Sequence, residues 1–105
     1  MDYEKGYVFD LMEQGGPTDV REPYFKEAVD EMMRARVLCA RANAKMPDNP
    51  AYVADLEELF GRKLDDVRIL TPFICDFGNR VKFGKGVFIN HSAILFASGG
   101  IEFTT

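Results

Sequence analysis

Histidine occurs once in the 105 residues and cysteine twice, and these scarcities exclude much metal chemistry. A zinc or other transition-metal centre takes several histidine, cysteine or carboxylate ligands at short spacings. Cys39 and Cys75 are not spaced that way, and in a reducing compartment two such cysteines are small apolar side chains with free thiols. A run of some 18 apolar residues is also missing, so no helix is marked as crossing a membrane. The N-terminus opens with Asp2, Glu4 and Lys5 where a secretion signal would be basic and then apolar, which leaves the cytoplasm as the default location. Nor is there an excess of positive charge: a net charge of −4 argues against a general nucleic-acid surface. What is present, 47% hydrophobic and 29% charged residues, is the composition of a soluble globular protein of one domain's length.

Within that length, one stretch has an unusual period. Large apolar residues recur at every sixth position, as Phe77, Phe83, Ile89, Leu95 and Ile101. Four residues after the first four stand Val81, Val87, Ala93 and Gly99, and immediately after each large residue come Gly78, Gly84, Asn90, Phe96 and Glu102. An alternating strand has period two and an amphipathic helix 3.6, so a period of six predicts a parallel β-helix in which each hexad is one wall and one corner. The large residue then fills the interior, the small one points inward near a corner, and Gly or Asn suits a corner because both tolerate positive φ. Gly84 to Thr104 is two residues longer than three plain hexads, and Gly99–Gly100 is the expected bulge.

The residues before this stretch are helical in pattern. Met1 to Leu11 predicts a short helix or a docked arm, ended by Gly15, Gly16 and Pro17. Thr18 or Asp19 is a candidate cap, and Pro23 suits a first helical turn. From Tyr24 to about Asn43, the residues Phe25, Ala28, Val29, Met32, Ala35, Cys39 and Ala42 keep helical spacing on one face, with the methionines as core filling. Asn49 and Pro50 read as N-cap and first turn of a second helix with Val53, Leu56, Leu59 and Phe60 on its apolar face, stopped by Gly61. Arg62 to Arg68 is a charged connector. Ile69 to Cys75, broken by Pro72, is the entry strand at an edge. The predicted class is α+β, with a helical segment over 1–68 followed over 69–105 by the start of a left-handed parallel β-helix.

The order of two helices, then "LTPFICDFGN", then "VKFGKGVFINHSAILFASGGIEF", resembles the maltose and galactoside acetyltransferases, sugar O-acetyltransferases of the hexapeptide-repeat superfamily. Pro72, Phe73, Cys75, Asp76 and Gly78 fall on a P-P-F-x-C-D-Y-G pattern. Gly84, Phe88, Ile89 and Asn90 fall on I-G-x-N-x-F-I-N, and Gly99, Gly100 and Ile101 on G-G-I-x-I-G-D. The resemblance implies acetyl transfer from acetyl-CoA to a sugar hydroxyl, in a homotrimer with active sites between neighbouring prisms. It also implies a histidine base about one coil past the last motif. No catalytic residue is therefore expected within this chain: that histidine and the coils that cradle CoA lie beyond Thr105, so the sequence reads as the first half of such an enzyme. Phe103 and Thr104 stand where the family has Ile-Gly, and Thr105 where it has Asp.

By the same resemblance, the substrate-binding candidates are Asn90, Asp76, Ser98 and Asp10. Asn90 matches the amide that contacts the acceptor and the acetyl group, and an amide both donates and accepts; it equally fits a corner that needs positive φ. Asp76 matches the position that accepts hydrogen bonds from sugar hydroxyls, or it is a turn residue. Ala97 and Ser98 replace a carboxylate that grips the acceptor in many members, and Ser98 still offers a hydroxyl. Asp10, in "GYVFD", corresponds to an acceptor contact donated across a subunit boundary, or is an ordinary exposed carboxylate. His91 comes too early for the family's base and reads as a wall or interface residue. A metal-dependent β-helix enzyme of the gamma carbonic anhydrase kind would need more histidines. The other class that fits is a non-catalytic trimerisation or scaffold module. A prism of little more than one coil would expose the backbone edge of its last turn, which predicts a marginal chain that stacks or associates.

Overall fold

A computed structural model describes residues 3–104; the polar start at Asp2 and the departure at Thr105 lie outside the described residues. Three helices pack against a stack of short strands. Helix α1 (Tyr7–Glu13) starts at Gly6, whose φ of 85° turns the chain into it. Both Glu27 carboxylate oxygens accept from the Gly6 amide, at 2.8 and 3.0 Å. Val8 is fully buried, the Phe9 ring meets Phe77 edge-on, and Tyr3, Tyr7 and Tyr24 cluster with centroids 4.7–5.1 Å apart. The N-terminal arm is thus a docked helix, tied down by aromatic burial.

Helix α2 (Phe25–Asn43) buries Ala28, Ala35, Leu38, Cys39 and Ala42. These mostly small residues let α2 lie close to its neighbours, and Val29, expected on this face, is rotated into solvent beside Ala28. Met33 and Met46 are likewise exposed instead of filling the core. Neither Thr18 nor Asp19 caps α2: the N-cap is Tyr24, with no side-chain bond. Asp19 instead accepts from the Arg21 amide at 2.9 Å, closing a turn one step earlier. Helix α3 (Pro50–Phe60) has the expected ends. Asn49 Oδ1 accepts from the Ala51 amide at 2.9 Å, and Gly61 leaves the helix at φ 66°. Its buried face is Tyr52, Leu56, Leu59 and Phe60, with Val53 outward. Tyr52 displaces Val53 because its hydroxyl reaches the Ile69 carbonyl while the ring fills the core. Arg34 of α2 donates to the Glu58 and Leu59 carbonyls, each at 2.8 Å, satisfying the C-terminal end of α3.

Six short strands follow: β1 (Arg68–Ile69), β2 (Phe73–Cys75), β3 (Val81–Phe83), β4 (Phe88–Ile89), β5 (Ala93–Leu95) and β6 (Ile101–Phe103). They form three parallel pairs, β1 with β4, β2 with β5 and β3 with β6. The registers are Arg68 with Phe88, Phe73 with Ala93 and Val81 with Ile101. Every pair is offset by 20 residues (88 − 68, 93 − 73 and 101 − 81). The chain therefore visits three sheets in turn and revisits them in the same order. The two residues beyond three hexads fall in the longest corner, which is Asp76–Arg80 in the first circuit and Phe96–Gly100 in the second.

Inside the circuits lie Ile69, Phe73, Cys75, Phe77, Val81, Val87, Ile89, Leu95 and Ala97. Phe83 and Ile101 are only half-buried. Phe83 stacks on Phe103 at 5.4 Å and meets the edge of Phe60 at 4.9 Å, so its ring joins the helices to the strands. Three corner assignments change. Gly99 is exposed, since the bulge carries it away from the interior. Positive φ occurs at Gly86 and Ser92, two residues beyond Gly84 and Asn90. Gly78 is required for space rather than for φ: a Cβ there would lie 2.3 Å from the Leu59 carbonyl oxygen. Asn43, at the end of α2, clasps β2 by accepting from the Phe73 amide (3.1 Å) and donating to its carbonyl (2.8 Å).

Candidate functional site

The 20-residue register decides which polar residues become neighbours. Asp76 follows β2 and falls in register with Phe96 after β5, at a corner that also carries Ala97 and Ser98, and there the Ala97 amide donates to Asp76 Oδ1 at 2.8 Å. That bond orders the second circuit over the first and leaves the other carboxylate oxygen for a further donor. Asn90 lies at a different corner, between β4 and β5. Its own Oδ1 accepts from the His91 amide (2.8 Å), and the Ser92 amide donates to the Pro72 carbonyl below (2.6 Å). Asn90 and His91 are exposed, and the His91 ring meets only the Ser92 hydroxyl at 3.4 Å. Within one copy the four sequence candidates thus divide into two groups. Asp76 and Ser98 share one corner, with Asp10 near it, while Asn90 stands at another.

Asp10 and Glu13 sit one turn apart on α1 and line a recess of about 370 Å³ between that helix, Asn79–Arg80, Lys82 and Gly99–Glu102. At its base is Arg80, a residue the sequence reading did not single out. Its Nη2 donates to Glu13 Oε2 at 2.7 Å, and its Nε to the Ser98 carbonyl at 3.2 Å. The Arg80 side chain is 10% exposed against 69% for that of Glu13. The hydrogen bond and the charge of Arg80 hold the Glu13 carboxyl below the usual carboxylate range. No local pattern could have found this contact, which spans 67 positions.

On the other side of the Asp76 corner lies an open apolar groove of about 610 Å³ between α2 and β2, lined by Val29, Met33, Arg36, Phe73 and Ile74 among others. Cys39 and Cys75 lie beneath it, both free and buried. Burial first, then the neighbouring Cys39, pushes the Cys75 thiol up to about 12, so it is a protonated core group and a poor nucleophile. Among the described residues, no group of three or more histidine, cysteine or acidic side chains is placed to hold a metal ion. No helix among them is long and apolar enough to cross a membrane.

No family model matches the chain. It is 44% identical over 66 residues, 62% of its own length, to "Putative acetyltransferase SH0499" of Staphylococcus haemolyticus, and the match covers 34% of that protein. It is 32% identical over 77 residues, 72% of its length, to "Putative acetyltransferase SAR2635" of Staphylococcus aureus, covering 39% of it. The matches thus span little more than a third of these curated relatives. The chain is accordingly related, over this part of their length, to proteins named as acetyltransferases.

Proposed function

We propose that this chain forms the acceptor side of an acetyl-CoA-dependent O-acetyltransferase acting on a sugar hydroxyl, on a left-handed parallel β-helix of hexapeptide repeats. The observation that carries the reading is the shared 20-residue register of all three strand pairs. It brings Asp76 into line with Phe96 and Ser98 into line with Gly78 at one corner, and sets Asn90 on a separate, solvent-facing corner. A sugar lying along this corner would meet the free Asp76 oxygen and, two residues further on, the exposed Ser98, both with open hydrogen-bonding capacity. Because Asn90 faces away from that corner, its contribution comes to the Asp76 corner of a neighbouring copy, which is the arrangement a homotrimer provides.

Acetyl-CoA does not fit the residues present. Its phosphates need convergent cations, yet six of the 13 lysines and arginines, Arg21, Lys26, Arg34, Lys45, Lys63 and Arg80, lie against carboxylates. The α1 recess gathers only Arg80 and Lys82, and His91 meets no other polar side chain than Ser92. These residues therefore form the acceptor side alone. Saturation-transfer NMR of the chain with millimolar monosaccharides tests the reading. Contact that weakens in Asp76→Asn and Asn90→Ala is expected, and silence from every sugar in a hexose and hexosamine panel would sink it.

One observation favours the second reading, a non-catalytic assembly module. Ile74 and Ile94 are register partners on the outer face of the β2–β5 pair, 55% and 59% exposed, and Phe96 beside them is 71% exposed. Such an apolar stripe fits self-association, which is all that a non-catalytic module requires. A trimer that binds neither sugar nor acetyl-CoA would leave the scaffold role standing.

A further inference from the structure

We infer that Arg80 is the positioning residue of the acceptor wall: one guanidinium locks α1, which carries Asp10, to the Phe96–Gly100 corner, which carries Ser98, so that the two move as a unit. The inference rests on the acceptor-side reading above and names the part that holds it together. The geometry is a two-ended tie. One end is the 2.7 Å bond to Glu13, a single turn from Asp10 on the same face of α1. The other end is the 3.2 Å bond to the Ser98 carbonyl. The corner is also moulded on the guanidinium, since a Cβ added at Gly100 would come within 3.2 Å of Arg80 Nη2. Arg80 itself is anchored below, in the 3₁₀ turn Gly78–Arg80, whose Gly78 is wedged against the end of α3. A guanidinium suits the task because its fork of donors is rigid and permanently charged, whereas a lysine offers a point charge.

Neither bonded group is itself expected to touch substrate. Glu13 is occupied by Arg80, and the Ser98 atom that Arg80 holds is the backbone carbonyl, leaving the side-chain hydroxyl free. The other ionisable groups facing this recess are Asp10 on α1, Lys82 on β3 and Glu102 on β6. Lys82 and Glu102 are register partners on the outer face of their strand pair. Among the described residues, no ion pair ties Asp10, Lys82 or Glu102 to another side chain. Among the described residues, Arg80 is therefore the one charged side chain that bridges α1 and the corner.

The test uses the isotopically labelled full chain. On acid titration by NMR, the Glu13 carboxyl of the wild type should titrate below the ordinary range, and the amides of Ser98, Gly99 and Gly100 should follow with the same midpoint. In Arg80→Met the Glu13 midpoint should rise to the ordinary range and the corner amides should lose that titration. Arg80→Lys should restore it in part, which a purely space-filling role would not require. Glu13→Gln, at an exposed position, removes the charged end of the tie if Arg80→Met does not fold. With glucose as the probe, the amides of Asp10 and Ser98 should respond together, and the affinity should fall by about tenfold in Arg80→Met while core amides such as Leu59 stay in place. Corner amides that ignore Glu13 in the wild type, or an unaltered glucose response in Arg80→Met, would overturn the inference. A shared titration with no glucose response supports the tie and counts against the acceptor reading alone.

Discussion

Gly78 leaves no room for a side chain, because the backbone of α3 occupies the space where its Cβ would be. The obstacle is a carbonyl and cannot rotate away, so Gly78→Ala should cost about 2–3 kcal/mol as local overpacking, read from denaturant unfolding. Asp76 presents the opposite case, a side chain that supplies what a backbone group needs. Asp76→Ala strands the Ala97 amide in a buried setting and should cost about 1–3 kcal/mol, whereas Asp76→Asn retains an acceptor oxygen and should recover most of it. Cys75 and Tyr52 give the fold an alkaline limit. Burial pushes both groups up to about 12, so the stability they contribute is whole below their unfolded values and is lost as pH rises from there towards about 12. Melting temperature should therefore decline across that window, less steeply in Cys75→Ala and Tyr52→Phe. An equal decline in both variants would rule these groups out.

At the level of elements, the ends of α3 were more legible than its face, while the start of α2 was missed. The Asn49–Pro50 start and Gly61 stop of α3 are local chemistry, visible because a cap is made by neighbours in sequence. Asn49→Ala should accordingly destabilise the chain by about 1 kcal/mol, measured as a shift of the unfolding midpoint at constant slope. The buried stripe of a helix depends on what it packs against, which explains why Val29 and Val53 turned outward while Leu38 and Tyr52 went in. The six-residue period located the strands and most interior positions. It put the positive-φ corners two residues early, because Gly and Asn report tolerance for that conformation and not its use. Of the candidate site, the sequence named side chains but not company: the Arg80–Glu13 and Asn43–Phe73 contacts join residues far apart in the chain and leave no local trace.

For the whole molecule, the outward stripe of Ile74, Ile94 and Phe96 departs from a surface suited to a monomer. If it is the surface between copies, sedimentation should give three times the 11.9 kDa of one chain. The double substitution Ile94→Glu with Phe96→Glu should release monomers whose helix content is unchanged. A wild-type monomer at millimolar concentration would remove both the trimer and the proposed sharing of Asn90 between copies.

The constant offset of its strand pairs gives this architecture a fixed gauge, like the pitch of a screw thread. Adding or removing 20 residues at a corner returns every later segment to its own sheet with the same face inward. An insertion of one strand and one corner would move every later strand onto the neighbouring sheet, and a single residue inserted within a strand would reverse which side chains face the core. Length changes in the stacked region are therefore quantised, and tolerance of deletions should peak at whole circuits.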